Sequence, residues 1–202
     1  MTARIKKTVV SGVFSLDGQD FDVDNNVWLV GDDAEVLVID APHDATPIVS
    51  AIGGRRVTAI VLTHGHNDHI TAAVALREAT GAPIWFNPAD RMLWDVIHPG
   101  TAPDEELTEG TTFQVAGTTL TALSTPGHSP GSTCLYAEDL GTVFTGDTLF
   151  CGGPGATGRS YSDHPAIVES IRTRLLTLPG ETVVRTGHGD DTTIAAEASN
   201  VS

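Results

Sequence analysis

The chain has 202 residues, enough for one large domain with a sizeable core. Apolar residues make up 40% and the formal net charge is −15, which sets a nucleic-acid backbone or an anionic membrane aside as partner, since either would be repelled. No apolar stretch is long enough to span a bilayer and the basic start leads into no apolar signal segment; with only Cys134 and Cys151, a soluble cytoplasmic protein with reduced thiols is expected.

Residues 8–16 and 26–30 read as strands around a polar turn rich in Asp and Gly, and 35–40 (EVLVID) as a third strand. That strand ends on Asp40, an acid at a buried tip, which needs a partner. It either caps the next helix, a part that Asp44 or Thr46 could equally take, or accepts from an imidazole and orients it toward a metal. His43, in the turn PHDAT, has no partner at ligand spacing and reads as a loop histidine. Residues 46–52 form a short helix.

The β-branched run from Val57 reads as a buried strand and stops abruptly at HGHNDH, with His64, His66, Asp68 and His69. A helix over 70–80 follows, closed by Gly81. The cluster therefore sits between a strand's carboxyl end and a helix, where open α/β sheets usually build sites. His64 and His66 leave one face of an extended segment, while Asp68 and His69 fall where the chain turns and can face a second point nearby. Imidazole and carboxylate donors together suit zinc, iron or manganese.

Residues 84–86 read as a strand and Pro88 to Ile97 as an amphipathic helix with Met92, Leu93 and Ile97 on or near one face. Trp94 is assigned to core packing, and 103–110 to a solvated loop. The second half restarts with a hairpin, 112–115 and 118–124, then strands at 132–137 and 141–146. Asp163 can cap a helix from Pro165 to Leu178, and a strand at 181–186 and a short helix near 192–198 end the chain. No low-complexity linker divides the halves, about 1–110 and 111–202; one domain of two similar halves is expected, with two sheets face to face and helices outside.

Three further strands end in a glycine-flanked residue of metal-ligand type: His128 in STPGHSPGS, Asp147 in VFTGDTLF and His188 in VVRTGHGDD. Glycine there lets the backbone come close and turn sharply. Gly153, Gly155 and Gly158 fit G-x-G-x-x-G, but no strand leads directly into them and no helix opens from them, so a nucleotide site is set aside. Arg159 is assigned to a structural ion pair, Cys151 by default to a small core position, with a place near the metals as the alternative, Cys134 to a buried strand and His164 to a helix start. Substrate contacts are expected from loops near 17–25, 90–100 and 151–163.

The order HGHNDH, PGHSPGS, TGDTLF, TGHG resembles the metallo-β-lactamase superfamily, from the strand ending in Asp40 to His188. The resemblance implies an α/β fold, an αββα sandwich of two mixed β-sheets with helices on the outer faces. Within the superfamily, GDTLFCGGPGATGRSYSD looks most like the short glyoxalase II-like (hydroxyacylglutathione hydrolase-like) enzymes, and the chain is also similar to actinobacterial hydrolases associated with mycothiol. Carried over by motif, His64, His66 and His128 would hold a first metal, and Asp68, His69 and His188 a second. Asp147 would bridge both, and Asp40 would support a ligand from behind.

Two divalent ions are thus implied, zinc first, with iron or manganese also tolerated. Asp68 and Asp147 would orient the hydroxide such a pair generates. The activity implied is hydrolysis of a small-molecule thioester of a glutathione- or mycothiol-type thiol, since no separate general acid is evident and a thiolate needs little protonation to leave. The alternatives are a persulfide dioxygenase with one iron on His64, His128 and Asp147, and a non-catalytic metal-binding protein. The chain departs from full-length glyoxalase II in lacking the C-terminal helical domain that helps bind glutathione.

Overall fold

The computed structural model describes residues 3–201. The chain opens with a long hairpin, β1 (Arg4–Leu16) and β2 (Gln19–Gly31), followed by β3 (Glu35–Ile39), α1 (Ala45–Ile52) and β4 (Arg56–Val61). Then come α2 (Asn67–Ile70), α3 (Ala73–Thr80), β5 (Ile84–Phe86), α4 (Arg91–Ile97) and β6 (Glu105–Glu106). These six strands form one mixed sheet in the order β1-β2-β3-β4-β5-β6.

The second sheet is built from β7 (Thr112–Val115), β8 (Thr118–Ser124), β9 (Thr133–Ala137) and β10 (Thr142–Gly146). A small two-stranded arm, β11 (Leu149–Phe150) and β12 (Gly153–Pro154), and the helix α5 (His164–Ser170) come next. With β13 (Val183–Thr186) and β14 (Thr192–Thr193), the sheet runs β14-β13-β10-β9-β8-β7, and α6 (Ile194–Glu197) follows.

At the centre of each sheet both faces are buried, and the strand sequences show why. Along 27–30 of β2 and 36–39 of β3 every residue in turn is apolar, and alternate side chains go to opposite faces. Trp28, Val30, Leu37 and Ile39 face the second sheet, packing against Leu120, Leu135 and Phe144. Val27, Leu29, Val36 and Val38 face outward onto Ile48, Leu76 and Trp94. On the far side of the second sheet, Val143 and Val184 pack under Ile167, Ile171 and Leu175 of the α5 segment. The result is helices, sheet, sheet, helices, with the ligand-bearing loops at one edge of the sandwich.

The expected strands and helices recur with several corrections. The polar segment 19–25 is not a turn: it is strand, and only Asp17-Gly18, both with positive φ, make the turn. The helix expected over 70–80 is interrupted at Thr71-Ala72, and that over 165–178 passes from α5 into a π-helical turn at Ile171–Leu175. The acidic segment 103–110 contributes β6, which pairs with β5, and buries Leu107. Trp94 is fully buried, as core packing requires, with Nε1 donating to the Thr101 carbonyl at 2.6 Å.

Candidate metal centre

The strand ends bring all seven expected ligand-type residues to one place. His64 Nε2 and His128 Nε2 each lie 3.0 Å from His66 Nδ1. Asp68 Oδ2, His69 Nε2 and His188 Nε2 form a second triangle, with sides of 3.6, 3.3 and 3.2 Å. Asp147 stands between the two groups: Oδ1 is 3.3 Å from His69 Nε2, and Oδ2 is 3.4 Å from His188 and 3.6 Å from His128.

Backbone chemistry decides which ring atoms face inward. His128 Nδ1 donates to the Ala156 carbonyl and His188 Nδ1 to the Asp24 carbonyl, each at 2.8 Å. Carbonyl oxygens only accept, so those nitrogens carry the protons and the Nε2 atoms turn inward. Of the two parts open to Asp40, it makes the contact with an imidazole. Its Oδ2 accepts from His69 Nδ1 at 2.8 Å and from Thr63 Oγ1 at 2.9 Å, leaving the Thr63 oxygen to face His64 Nδ1 at 3.1 Å. The helix cap is left to Asp44, which accepts from the Thr46 N–H at 2.8 Å.

The donor set fits divalent cations. Inward-facing imidazole lone pairs 3.0 Å apart repel unless something positive lies among them, and Asp68 Oδ1 and Asp147 Oδ1 are buried with no hydrogen-bond partner. Three overlapping sets are close enough to share an ion: His64-His66-His128, His64-His69-Asp147 and Asp68-His69-His188.

Electrostatics divides the cluster. Burial, then the neighbouring charge on His69, holds His64 well below its usual pKa, and burial with His128 takes His66 down to about 3. Burial also opposes charge on His69 and His188, but Asp147 leads the carboxylates that outweigh it; His69 is held well above its usual value and His188 at about 10. Asp147 is held well below the carboxylate range, because His69 and His188 overcome its burial.

A metal must displace those protons, so zinc affinity should rise with pH toward about 10, and loading at neutral pH should release protons. Calorimetry in two buffers of different ionisation enthalpy checks this; equal apparent heats would refute it. In the chelated protein the sign is opposite. The raised His188 stabilises the fold fully below about 6.5, and that contribution is lost as pH rises through about 10.

Asp90 is a buried acid beside the site that the sequence did not single out. Fully buried beside α4, it accepts from the Gly65 N–H at 2.7 Å, the Gly131 N–H at 2.6 Å and Ser129 Oγ at 2.6 Å. It thereby ties the loop of His64 and His66 to the loop of His128. A Cβ on Gly131 would lie 2.7 Å from Asp90 Cγ, so glycine is what permits the approach. Burial pushes the Asp90 carboxyl up, against the three bonds that favour its charge.

Of the other expectations, some are corrected and some hold. Arg159 makes no ion pair among the described residues; its guanidinium lies 4.6 Å from the Phe21 ring centre and its Nη1 donates to Gln19 Oε1 at 3.1 Å. Cys151 is exposed at the tip of the β11–β12 arm, whereas Cys134 is buried in β9 as expected. His43 is not a plain loop histidine, since its Nε2 reaches the buried Asn25 at 2.8 Å. His164 begins α5, capped by Asp163, and no helix opens at the G-x-G-x-x-G stretch. Gly155 there lets the backbone pass the Asp147 carbonyl, which a Cβ would meet at 1.8 Å.

A cavity of about 420 Å³ opens onto these groups, walled by Phe14, Val23, Phe150 and Ala156. Of the segments expected to touch substrate, 17–25 and 151–163 supply Val23, Asp24 and Ala156, while residues 90–100 line a neighbouring groove instead.

Two mixed sheets carrying a His/Asp cluster at their strand ends define a metal-binding αββα protein. The sequence profile of the metallo-beta-lactamase superfamily matches residues 21–188, and the chain belongs to that superfamily. It is 33% identical to the hydroxyacylglutathione hydrolase GloC of Haemophilus influenzae, covering 85% of this chain and 89% of that one. It is 36% identical to a hydroxyacylglutathione hydrolase of Cereibacter sphaeroides over 82% of this chain, and spans 62% of that relative's length. Among solved structures, TTHA1623 in a di-iron-bound form superposes with a TM-score of 0.77 at 33% identity, over 87% of this chain and 93% of that one. No described helix is long and apolar enough to cross a membrane.

Proposed function

We propose that the chain is a binuclear metallohydrolase that cleaves a thioester of a low-molecular-weight thiol, of the glutathione or mycothiol type. The observation that carries the reading is Asp147, placed between two complete sets of donors. His64, His66 and His128 would hold one ion, and Asp68, His69 and His188 the other. Zinc is the first candidate; iron or manganese suits the same donors, and the similar di-iron structure keeps iron in view. Divalent ions held there supply Lewis acidity and a water acidic enough to attack near neutral pH.

The protein's own groups do the rest. Asp68 and Asp147 would direct the attacking water, and the carbonyls that hold the Nδ1 protons of His128 and His188 leave Nε2 as the ring atom that faces inward. Phe14 and Phe150 wall the cavity and limit bulk water. Each acid and histidine of the two clusters is taken as a ligand, which leaves no evident proton donor for a leaving group. A thiolate, with a pKa of about 8.5, departs without one, whereas an amide nitrogen does not. The cavity volume is in the range of small-molecule sites. Two free cysteines fit a reducing, cytoplasmic setting.

Thiol release from a panel of acyl-glutathione and acyl-mycothiol substrates tests the reading, with zinc-loaded protein beside a chelated control. Fast, chelator-sensitive release is expected, and the preferred carrier names the thiol. Oxygen uptake with a glutathione persulfide and no thiol release would instead select the iron dioxygenase on His64, His128 and Asp147. Neither activity would leave a non-catalytic metal protein.

A further inference from the structure

Asn25 is fully buried on β2, outside the ligand set. Its Nδ2 lies 3.0 Å from Asp68 Oδ2, 3.3 Å from His69 Nε2 and 3.4 Å from His188 Nε2. Among the described residues it is the only uncharged side chain that donates to Asp68. An asparagine amide has a donating end and an accepting end of nearly the same shape, so a neighbour must fix which end faces the carboxylate. Turned round, its oxygen would repel Asp68.

His43 is that neighbour. Its Nε2 is 2.8 Å from Asn25 Oδ1, and an amide oxygen accepts only, so Nε2 carries the proton and the NH2 is left for Asp68. The ring is seated with care. His43 has a left-handed backbone, φ 48°, uncommon outside glycine, and its ring packs close against β1 at Gly12. A Cβ on Gly12 would meet His43 Cγ and Nδ1 at 2.2 Å. Gly12 itself has no positive φ, so alanine there is strained by the His43 ring rather than by its backbone.

We propose that Asn25 and His43 are positioning residues of the second donor set. The His43 N–H fixes the amide, the amide holds the Asp68 carboxylate, and the pair sets how tightly that set keeps its ion. The inference rests on the binuclear reading but concerns ion binding rather than thioester cleavage. Partners behind metal ligands typically change affinity by about ten- to a hundredfold when removed.

The test titrates chelated protein with cobalt(II), following its visible absorption, for wild type, His43→Leu, His43→Gln and Gly12→Ala. Wild type should take two equivalents. His43→Leu and Gly12→Ala should weaken one equivalent about ten- to a hundredfold, with an altered spectrum for that ion and the other unchanged. His43→Gln keeps an N–H donor and should restore most of the loss. Thermal unfolding of the chelated proteins separates this from a packing role. The proposal is overturned by an unchanged titration in Gly12→Ala, by both equivalents weakening together with lost stability, or by wild type binding fewer than two ions. Should His43→Leu fail to fold, Gly12→Ala, which keeps every polar group, decides. Two cobalt ions bound as described, without thioester hydrolysis, would refute the proposed activity and leave this inference standing.

Discussion

Asp147→Ala should abolish chelator-sensitive thioester hydrolysis while the fold is kept. The carboxylate touches His69, His188 and His128 rather than the apolar core, so its loss leaves the three hydrophobic clusters intact. It is the group through which the two donor sets meet, and removing it separates them. A fall in turnover on the order of 10²–10³ or more is expected, by comparison with loss of one charge-stabilising group at an active site. His66→Ala should act similarly, since His66 Nδ1 is the atom that both His64 and His128 face. Turnover is measured beside far-UV circular dichroism; near-wild-type turnover in either variant would sink the two-metal reading.

Asp90→Ala should be the most destabilising change near the site, at about 3–5 kcal/mol by urea unfolding. It strands the buried N–H groups of Gly65 and Gly131, each costing about 1–3 kcal/mol, and frees Ser129. Both ligand loops lose their common anchor, so ion retention should fall along with stability. Asp90→Asn, which keeps the shape and one accepting oxygen, should lose less. A loss below about 1 kcal/mol in Asp90→Ala would show that packing under α4 fixes these loops without the carboxylate.

The residues of the His/Asp cluster are legible because their chemistry is local. Histidines and aspartates at the glycine-flanked ends of apolar strands stand out in any reading frame, and Asp40 did so as an acid at a buried strand tip. What depends on distant partners did not show. Asp90 sits in a segment whose apolar periodicity speaks for a helix, and nothing near it in sequence names Gly65 or Gly131. Asn25 and His43 meet only because β2 and the turn after β3 lie side by side.

The extent of the hairpin is hidden in the sequence for a different reason. Asp20, Asp22 and Asp24 gave an impression of a polar turn, but they alternate with Phe21 and Val23, which is the period of a strand. The Asp17-Gly18 pair was the turn signal. Arg159 was expected to find an acid, yet it lies over Phe21. The hairpin tip that carries this ring is also pinned by Asn67, which accepts from the Ser15 N–H and donates to the Val13 carbonyl, each at 2.8 Å. The hairpin thus places Phe14 in the wall of the cavity, a consequence of tertiary structure that no local pattern carries.

The most direct measurement is a zinc titration of chelated protein, following thioester hydrolysis and bound metal together. Hydrolysis should stay low through the first equivalent, rise with the second and level off at two. Full activity at one equivalent, or none at two, would contradict a pair of ions joined through Asp147.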